Sequence, residues 1–160
     1  MNHAEKRMAG KYVEAFSWHK SIREFLEEIV TETPVLNVCS GPKDDFGDFR
    51  MDRFVKPIPP STTGDWTALP FASDSFGAVF ADPPWNLSQM KSCAEFCVEA
   101  LRVAPVAYLM SPWLWVSRNA VRSKVWYREF PGVNVPILIS RYERKVEQKW
   151  LPIEAHLSGK

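Results

Sequence analysis

Phe76-Gly77-Ala78-Val79-Phe80-Ala81 is a short apolar run that stops abruptly at Asp82-Pro83-Pro84-Trp85-Asn86. The run reads as a buried strand. Two consecutive prolines, which lack N–H groups and fix φ, end it in a rigid turn whose carbonyls point outward. Upstream, Val35-Leu36-Asn37-Val38-Cys39 reads as another buried strand, closed by Ser40-Gly41-Pro42. Downstream, Ser88 is placed to cap a helix whose Met90, Cys93, Ala94, Cys97 and Leu101 share one face, and Val106 to Met110 follows as a strand. Phe49 to Phe54 is a further candidate strand, residues 56–63 read as a proline-rich loop, and 117–129 as a weaker helix. Val133, Val135, Ile137 and Ile139 alternate like a late strand, with Pro136 favouring a sheet edge. This alternation of strand and helix predicts an α/β fold, a parallel or mixed sheet with helices on both faces. Ligands of such sheets sit beyond the carboxyl ends of the strands, which draws attention to Cys39-Ser40-Gly41, Asp52 and Asp82-Pro83-Pro84-Trp85.

The flanks and the composition frame that core. Trp18, Ile22, Phe25, Leu26, Ile29 and Val30 form one helical apolar stripe. Ser21 with Glu24 is a candidate capping box, Thr31-Glu32-Thr33-Pro34 supplies the stop, and residues 3–16 read as a separate helix broken near Gly10. The expectation is a single domain over 1–160, with a helical segment at 1–33 and an α/β core at 34–160. With 160 residues, 46% hydrophobic and 24% charged, the chain is of ordinary globular make-up, which excludes wholesale disorder. Twenty basic against 19 acidic side chains give +1, so global charge does not announce a nucleic-acid binder. The distribution is uneven: residues 31–114 sum to −4 and residues 115–160 to +5. An acidic middle before a basic end suits a cationic cofactor held beside a polyanionic substrate.

No apolar run approaches the ~20 residues of a membrane helix, and no signal-peptide pattern opens the chain, so the expectation is a soluble cytoplasmic protein. Cys39, Cys93 and Cys97 are too few for a disulfide framework and read as reduced thiols. No metal site is expected: His3, His19 and His156 lie far apart, and Cys93 with Cys97 on an apolar face reads as a pair of core thiols.

The Asp82 corner carries the chemistry. Asp82 and the Pro83 carbonyl can accept the two hydrogens of an amino group on a planar ring, while Trp85 stacks on the plane. Held this way, the nitrogen lone pair leaves conjugation and turns toward an electrophile.

The segment "LPFASDSFGAVFADPPW", residues 69–85, resembles the core of class I S-adenosylmethionine-dependent methyltransferases that act on exocyclic amino groups. The family carries an Asp/Asn/Ser-Pro-Pro-aromatic motif at the end of its fourth strand, and the Asp-Pro-Pro-Trp form is typical of adenine-N6 enzymes. The resemblance implies a Rossmann-like sheet, S-adenosyl-L-methionine as cofactor, and catalytic roles for Asp82, Pro83, Pro84 and Trp85. "VLNVCSG", residues 35–41, is similar to the family's first strand and glycine turn, where backbone at Cys39, Ser40 and Gly41 approaches the methionine part of the cofactor. Asp52 matches the acidic residue that takes the ribose hydroxyls. "GDWTALPF", residues 64–71, resembles the next motif, in which Asp65 accepts from the adenine amino group and Trp66 packs by its ring.

Two departures stand out. Only eleven positions lead from Gly41 to Asp52, too few for a loop, a regular helix and another loop, so the first crossover helix is expected to be missing or reduced to one turn. Asp44 and Asp45 would then sit near the cofactor's sulfonium and amino groups. Gly77 stands where the family is often acidic.

A base inside a duplex cannot reach such a pocket unflipped, so the target is expected to be single-stranded, a nucleotide, or extruded. Trp113, Trp115, Trp126 and Tyr127 interleave with Arg118, Arg122, Lys124 and Arg128, a mix that serves base stacking and phosphate contact or, equally, fills a core or a subunit interface. Asn86, Trp113, Trp115 and Arg118 are the substrate-binding candidates, and Arg141, Arg144, Lys145 and Lys149 extend the positive surface. With no separate target-recognition domain expected, selectivity would come from short loops, a homodimer or a partner subunit. The expected activity is methyl transfer to adenine N6 of DNA or RNA. Guanine N2 in RNA, cytosine N4 in DNA, or a non-catalytic subunit that binds cofactor or nucleic acid are the alternatives.

Overall fold

The structure, a computed structural model, describes residues 20–53, 56–83, 90–112, 114–115, 118, 120–129 and 136–145, with 90–94 as backbone. The expectations for residues 3–16, Trp18, Phe54, Ser88, Val133, Val135 and Lys149 lie outside them.

Among the described residues two helices, α1 (Lys20–Ile29) and α2 (Met90–Val103), flank seven strands: β1 (Val35–Val38), β2 (Phe49–Asp52), β3 (Ser61–Thr63), β4 (Ala78–Ala81), β5 (Val106–Ser111), β6 (Ala120–Arg128) and β7 (Ile137–Arg144). The strands form one sheet in the order β3-β2-β1-β4-β5-β7-β6. β1 pairs in parallel with β2 and β4, β2 with β3, and β4 with β5, whereas β7 runs antiparallel to both β5 and β6. β1 and β4 are buried at every position, as expected of strands covered on both faces.

Each helix covers one face. On α1 the stripe Ile22, Phe25, Leu26 and Val30 packs on Val35, Phe80, Tyr108 and Ile139. Fully burying side chains of this size is worth about 1.5–3 kcal/mol each. On the other face Phe96, Ala100, Leu101 and Val103 of α2 pack on Leu36, Val38, Val79, Leu109 and Tyr142. No described helix is long and apolar enough to cross a membrane.

Between β1 and β2 there is no crossover helix, as the short spacing predicts. Residues 41–48 instead form a strap over the α1 face. Asp44 and Phe46 are buried, Asn37 Nδ2 donates to Asp44 Oδ2 (2.7 Å), and the Asp48 carboxylate takes the Val35 N–H (2.7 Å). Arg50 is buried beneath, donating to the carbonyls of Asp45, Gly47, Ile58 and Pro59. Phe46 meets Phe80 edge-on, 5.4 Å between centroids. The volume a helix would fill is thus closed by one aromatic ring and a set of hydrogen-bonded polar groups, with Asn37 Oδ1 alone among them left without a partner among the described residues.

Several local expectations are corrected. Residues 117–129 contain a strand, not a helix: β6 pairs with β7 along its length, and an irregularity between Arg122 and Lys124 breaks the alternation that would have betrayed it. The loop 56–63 ends in β3, whose Ser-Thr-Thr carries no apolar signal. Pro136 does not mark an edge. It lies just ahead of β7, where its missing N–H costs no ladder bond, and β6 is the outer strand. Ser21 sits inside α1 rather than capping it, and Glu24 pairs with Lys20.

Candidate active site

Sheet order reverses between β1 and β4: β2 and β3 extend to one side, β5 and beyond to the other. At such a switch point the connections diverge and leave a crevice beyond the carboxyl ends of the strands. Register decides what lines it. Val38 pairs with both Met51 and Ala81, and Asp52 with Thr63. Cys39, Asp52, Gly64-Asp65 and Asp82 therefore leave their strands in one row along the same edge.

The β1 end is shaped for close approach. Cys39 (φ 60°) and Gly41 (φ 67°) both adopt left-handed backbone, which turns the chain sharply out of the sheet. Ser40 is buried and its N–H donates to the Met51 carbonyl (3.3 Å). A Cβ added at Gly41 would meet none of the described residues within 4 Å, so the turn faces open space among them. Asp52 reaches back from β2, its Oδ2 accepting the Gly41 N–H (3.0 Å) and so fixing the glycine turn against the second strand. The Gly64 N–H in turn donates to the Asp52 carbonyl (3.0 Å), which seats the start of the next segment.

Asp65 caps its own turn. Its Oδ1 accepts from the Thr67 N–H (3.0 Å) and hydroxyl (2.7 Å), while Arg53 lies 3.4 Å from Oδ2. The hydrogen bonds from Thr67, and after them Arg53, hold its carboxyl below the usual range against the opposing pull of burial. Thr67 and Arg53 went unremarked in the sequence, although an Asp followed two residues later by Thr is the pattern of a side-chain-capped turn. Trp66 is buried and stacks on Phe96 (5.2 Å, 23°), so its ring belongs to the α2-side core.

Asp82 is half-buried and follows β4 directly, with Pro83 buried behind it. Pro84, Trp85, Asn86 and Trp113 lie outside the described residues. Trp115 packs against the α2-side core and its Nε1–H donates to Ser111 Oγ (3.2 Å), while its carbonyl accepts from the Tyr142 hydroxyl (2.8 Å). Arg118 is an exposed turn residue. The structure thus gathers Cys39, Ser40, Gly41, Asp52, Asp65 and Asp82 on one edge, and sets Trp66 and Trp115 into the core beside it.

Asp44 and Asp45 do not join that edge. Asp44 points inward, its Oδ1 taking the Phe46 N–H (2.9 Å), and burial raises its carboxyl above the usual value despite that bond and the one from Asn37. Asp45 pairs with Arg23 of α1. Both are committed to holding the strap because the chain has no crossover helix to do so.

Two clefts lie elsewhere. One of about 400 Å³ includes Arg102 and Arg144, whose guanidiniums are taken up by backbone carbonyls of Leu69, Phe71, Leu101 and Ala104. The other, of about 370 Å³, lies on the α1 face beside Tyr108 and Trp126.

No protein-family model matches the sequence, and no curated protein matches it. Solved structures do. One, described by the conversion of a disulfide bond into a thioacetal group during echinomycin biosynthesis, aligns at TM-score 0.53 and 10% identity over 78% of this chain and 82% of that one. A candidate methyltransferase from Escherichia coli aligns at TM-score 0.50 and 11% identity, over 80% and 84%. A candidate RNA methyltransferase from Pyrococcus horikoshii aligns at TM-score 0.48 and 10% identity, over 79% and 81%. With its strand order and reversed β7, the chain has the α/β, Rossmann-like fold of methyltransferases.

Proposed function

We propose that the chain is a methyltransferase that uses S-adenosyl-L-methionine and methylates an exocyclic amino group of a nucleic-acid base, with adenine N6 of DNA or RNA the favoured acceptor. A cytoplasmic setting is part of the same proposal. The observation that carries it is the alignment of the Gly41 turn and Asp82 on either side of the β1/β4 switch point. The residues suit the cofactor. Open space where a Gly41 Cβ would stand admits a ligand against the backbone, and carboxylates at Asp52 and Asp65 serve hydroxyl and amino donors.

When bound, the cofactor supplies a methyl group already activated on a positive sulfonium. The protein's work is alignment and exclusion of water. Backbone at Cys39–Gly41 would receive the methionine end, Asp52 the ribose hydroxyls, and Asp65 the adenine amino group, the Arg53 partner of Asp65 being an exposed side chain. Asp82 and the Pro83 carbonyl accept the acceptor amine's two hydrogens and orient its lone pair, and Trp85 stacks on the base. Asp82 need not be a strong base, because the nitrogen sheds its proton after transfer.

Incubating DNA and RNA with the protein and S-adenosylmethionine, then analysing nucleosides by mass spectrometry, tests the proposal and names the base. Asp82→Ala should cut transfer at least about a hundredfold, since it removes an interaction made with the reacting group. It should leave cofactor affinity nearly intact. Equal loss of both would place Asp82 on the cofactor rather than the acceptor.

A further inference from the structure

Strand β6 separates its side chains by the pleat into two unlike sets. Past the irregularity at Arg122/Lys124, Lys124 pairs with Arg141, Trp126 with Ile139 and Arg128 with Ile137. Ile137 and Ile139 belong to the α1-side core, so Lys124, Trp126 and Arg128 line up on the α1 face. Successive members are two residues apart, about 6.7 Å along a strand, close to the length of one extended nucleotide.

The charge on this stripe is unbalanced. Lys124 and Arg128 are exposed, and neither is paired with a carboxylate among the described residues; the Arg128 guanidinium lies over the Phe25 ring of α1, 3.9 Å from its centroid. Within β6 there is no acidic residue, and Arg122 adds a third cation on the opposite face. Glu129, just beyond the strand, is engaged by the Tyr127 hydroxyl. The aromatic member is presented between the two cations. Trp126 is half-buried, one side stacked against Tyr108 (6.1 Å, 28°), with the Lys124 ammonium 5.9 Å from its ring. It opens onto a cleft of about 370 Å³ that Tyr108, Lys124, Arg141 and the carboxylates Glu28 and Glu32 also line. That volume is within the range of sites for small planar ligands.

Register links the stripe to the catalytic edge. Ala81 pairs with Leu109, and Ser111 with Leu138, which pairs with Tyr127. Tyr127 and Arg128 therefore stand level with, or just past, Pro83. They lie three inter-strand steps from β4, about 14 Å away. Two extended nucleotides span that gap.

We propose that Lys124, Trp126 and Arg128 form a track for single-stranded nucleic acid, with a base stacked on Trp126 and flanking phosphates on the two cations, holding the strand whose target base enters at Asp82. It rests on the function proposed above. Cation, aromatic, cation at nucleotide spacing is the arrangement that binds single strands without reading sequence. A second copy of this chain added to the open β6 edge is disfavoured, because it would bring the unpaired cations of two strands together.

The test is fluorescence anisotropy with fluorescein-labelled single-stranded 12-mers, one DNA and one RNA, against the full chain across a salt series. Removing two phosphate contacts by Lys124→Gln with Arg128→Gln should reduce the slope of log affinity against log salt by about 1.4, and weaken binding about twentyfold at 0.1 M salt. The charge-conserving pair Lys124→Arg with Arg128→Lys should restore both. S-adenosylmethionine titration and thermal melting of the same samples separate this from misfolding and from failure of the cofactor site. Wild-type protein that binds cofactor but neither oligonucleotide overturns the track. So does a neutralised variant with unchanged affinity and slope, and in that outcome the assignment of Asp82 still stands.

Discussion

Gly77 shows how one side chain is dictated by its neighbour rather than by chemistry. Its N–H donates to the Pro34 carbonyl (2.8 Å), and a Cβ there would lie 2.5 Å from the Thr33 carbonyl oxygen and 2.9 Å from its nitrogen. An acidic residue, common at this point in the family the sequence resembles, has no room. Because the obstruction is backbone, Gly77→Ala should cost about 2–3 kcal/mol, read as a lower denaturation midpoint with unchanged slope. Such facts are only partly open to inspection of the sequence. Asp44, Asp45, Asp52 and Asp82 are the same residue type, and nothing local tells that Asp44 is turned into the protein under Asn37 while Asp82 leaves a strand at a crevice. Burial separates them, and burial is a property of the assembled chain.

At the scale of elements, the end of α1 is tied to the sheet by a polar cluster. Arg141 of β7 donates to Glu32 Oε1 (2.8 Å), and the Tyr108 hydroxyl of β5 lies 2.8 Å from Oε2 and 3.1 Å from the Ile29 carbonyl at the helix end. Burial alone would raise the Glu32 carboxyl, but the hydrogen bonds from Arg141 and Tyr108 outweigh it and hold it below its ordinary value. Burial and Glu32 together push the Tyr108 hydroxyl up to about 12. A carboxyl lowered in the folded state contributes stability above its unfolded pKa and loses it as pH falls through the folded one. Glu32→Gln should therefore destabilise by about 1–2 kcal/mol at pH 7, with the difference from wild type closing as pH falls below 4.5, the carboxyl's ordinary value. Chemical denaturation across pH checks this; a difference independent of pH contradicts it.

Elements differed in how plainly the sequence announced them. β4 is an unbroken apolar run, β1 is apolar but for the buried Asn37, α1 has an apolar stripe, and counting residues between Gly41 and Asp52 was enough to exclude a regular helix. β6 escaped because Ser123 is an extra residue that shifts the pleat, so its aromatic and basic side chains fall into no simple period. β3 escaped because a three-residue edge strand needs no apolar face.

For the molecule as a whole, strand order was the decisive unknown. Periodicity predicts strands and their approximate ends, but only long-range pairing places β4 beside β1 and inserts β7 between β5 and β6. That order creates the switch point, and the switch point brings together residues 41, 52 and 82 across 41 positions of sequence. The candidate site was legible as a set of strand ends and as a resemblance; its being one row at one edge was not.

The most direct measurement is calorimetric titration of S-adenosylmethionine into wild-type protein, Asp82→Ala and Gly41→Val. Gly41 has left-handed backbone and faces open space, so a branched side chain there occupies the volume assigned to the ligand. Wild type should show saturable one-to-one binding, Asp82→Ala nearly the same affinity, and Gly41→Val at least a tenfold loss, about 1.4 kcal/mol. No heat of binding from the folded wild type, or a Gly41→Val variant that binds as tightly, would contradict the proposed cofactor site.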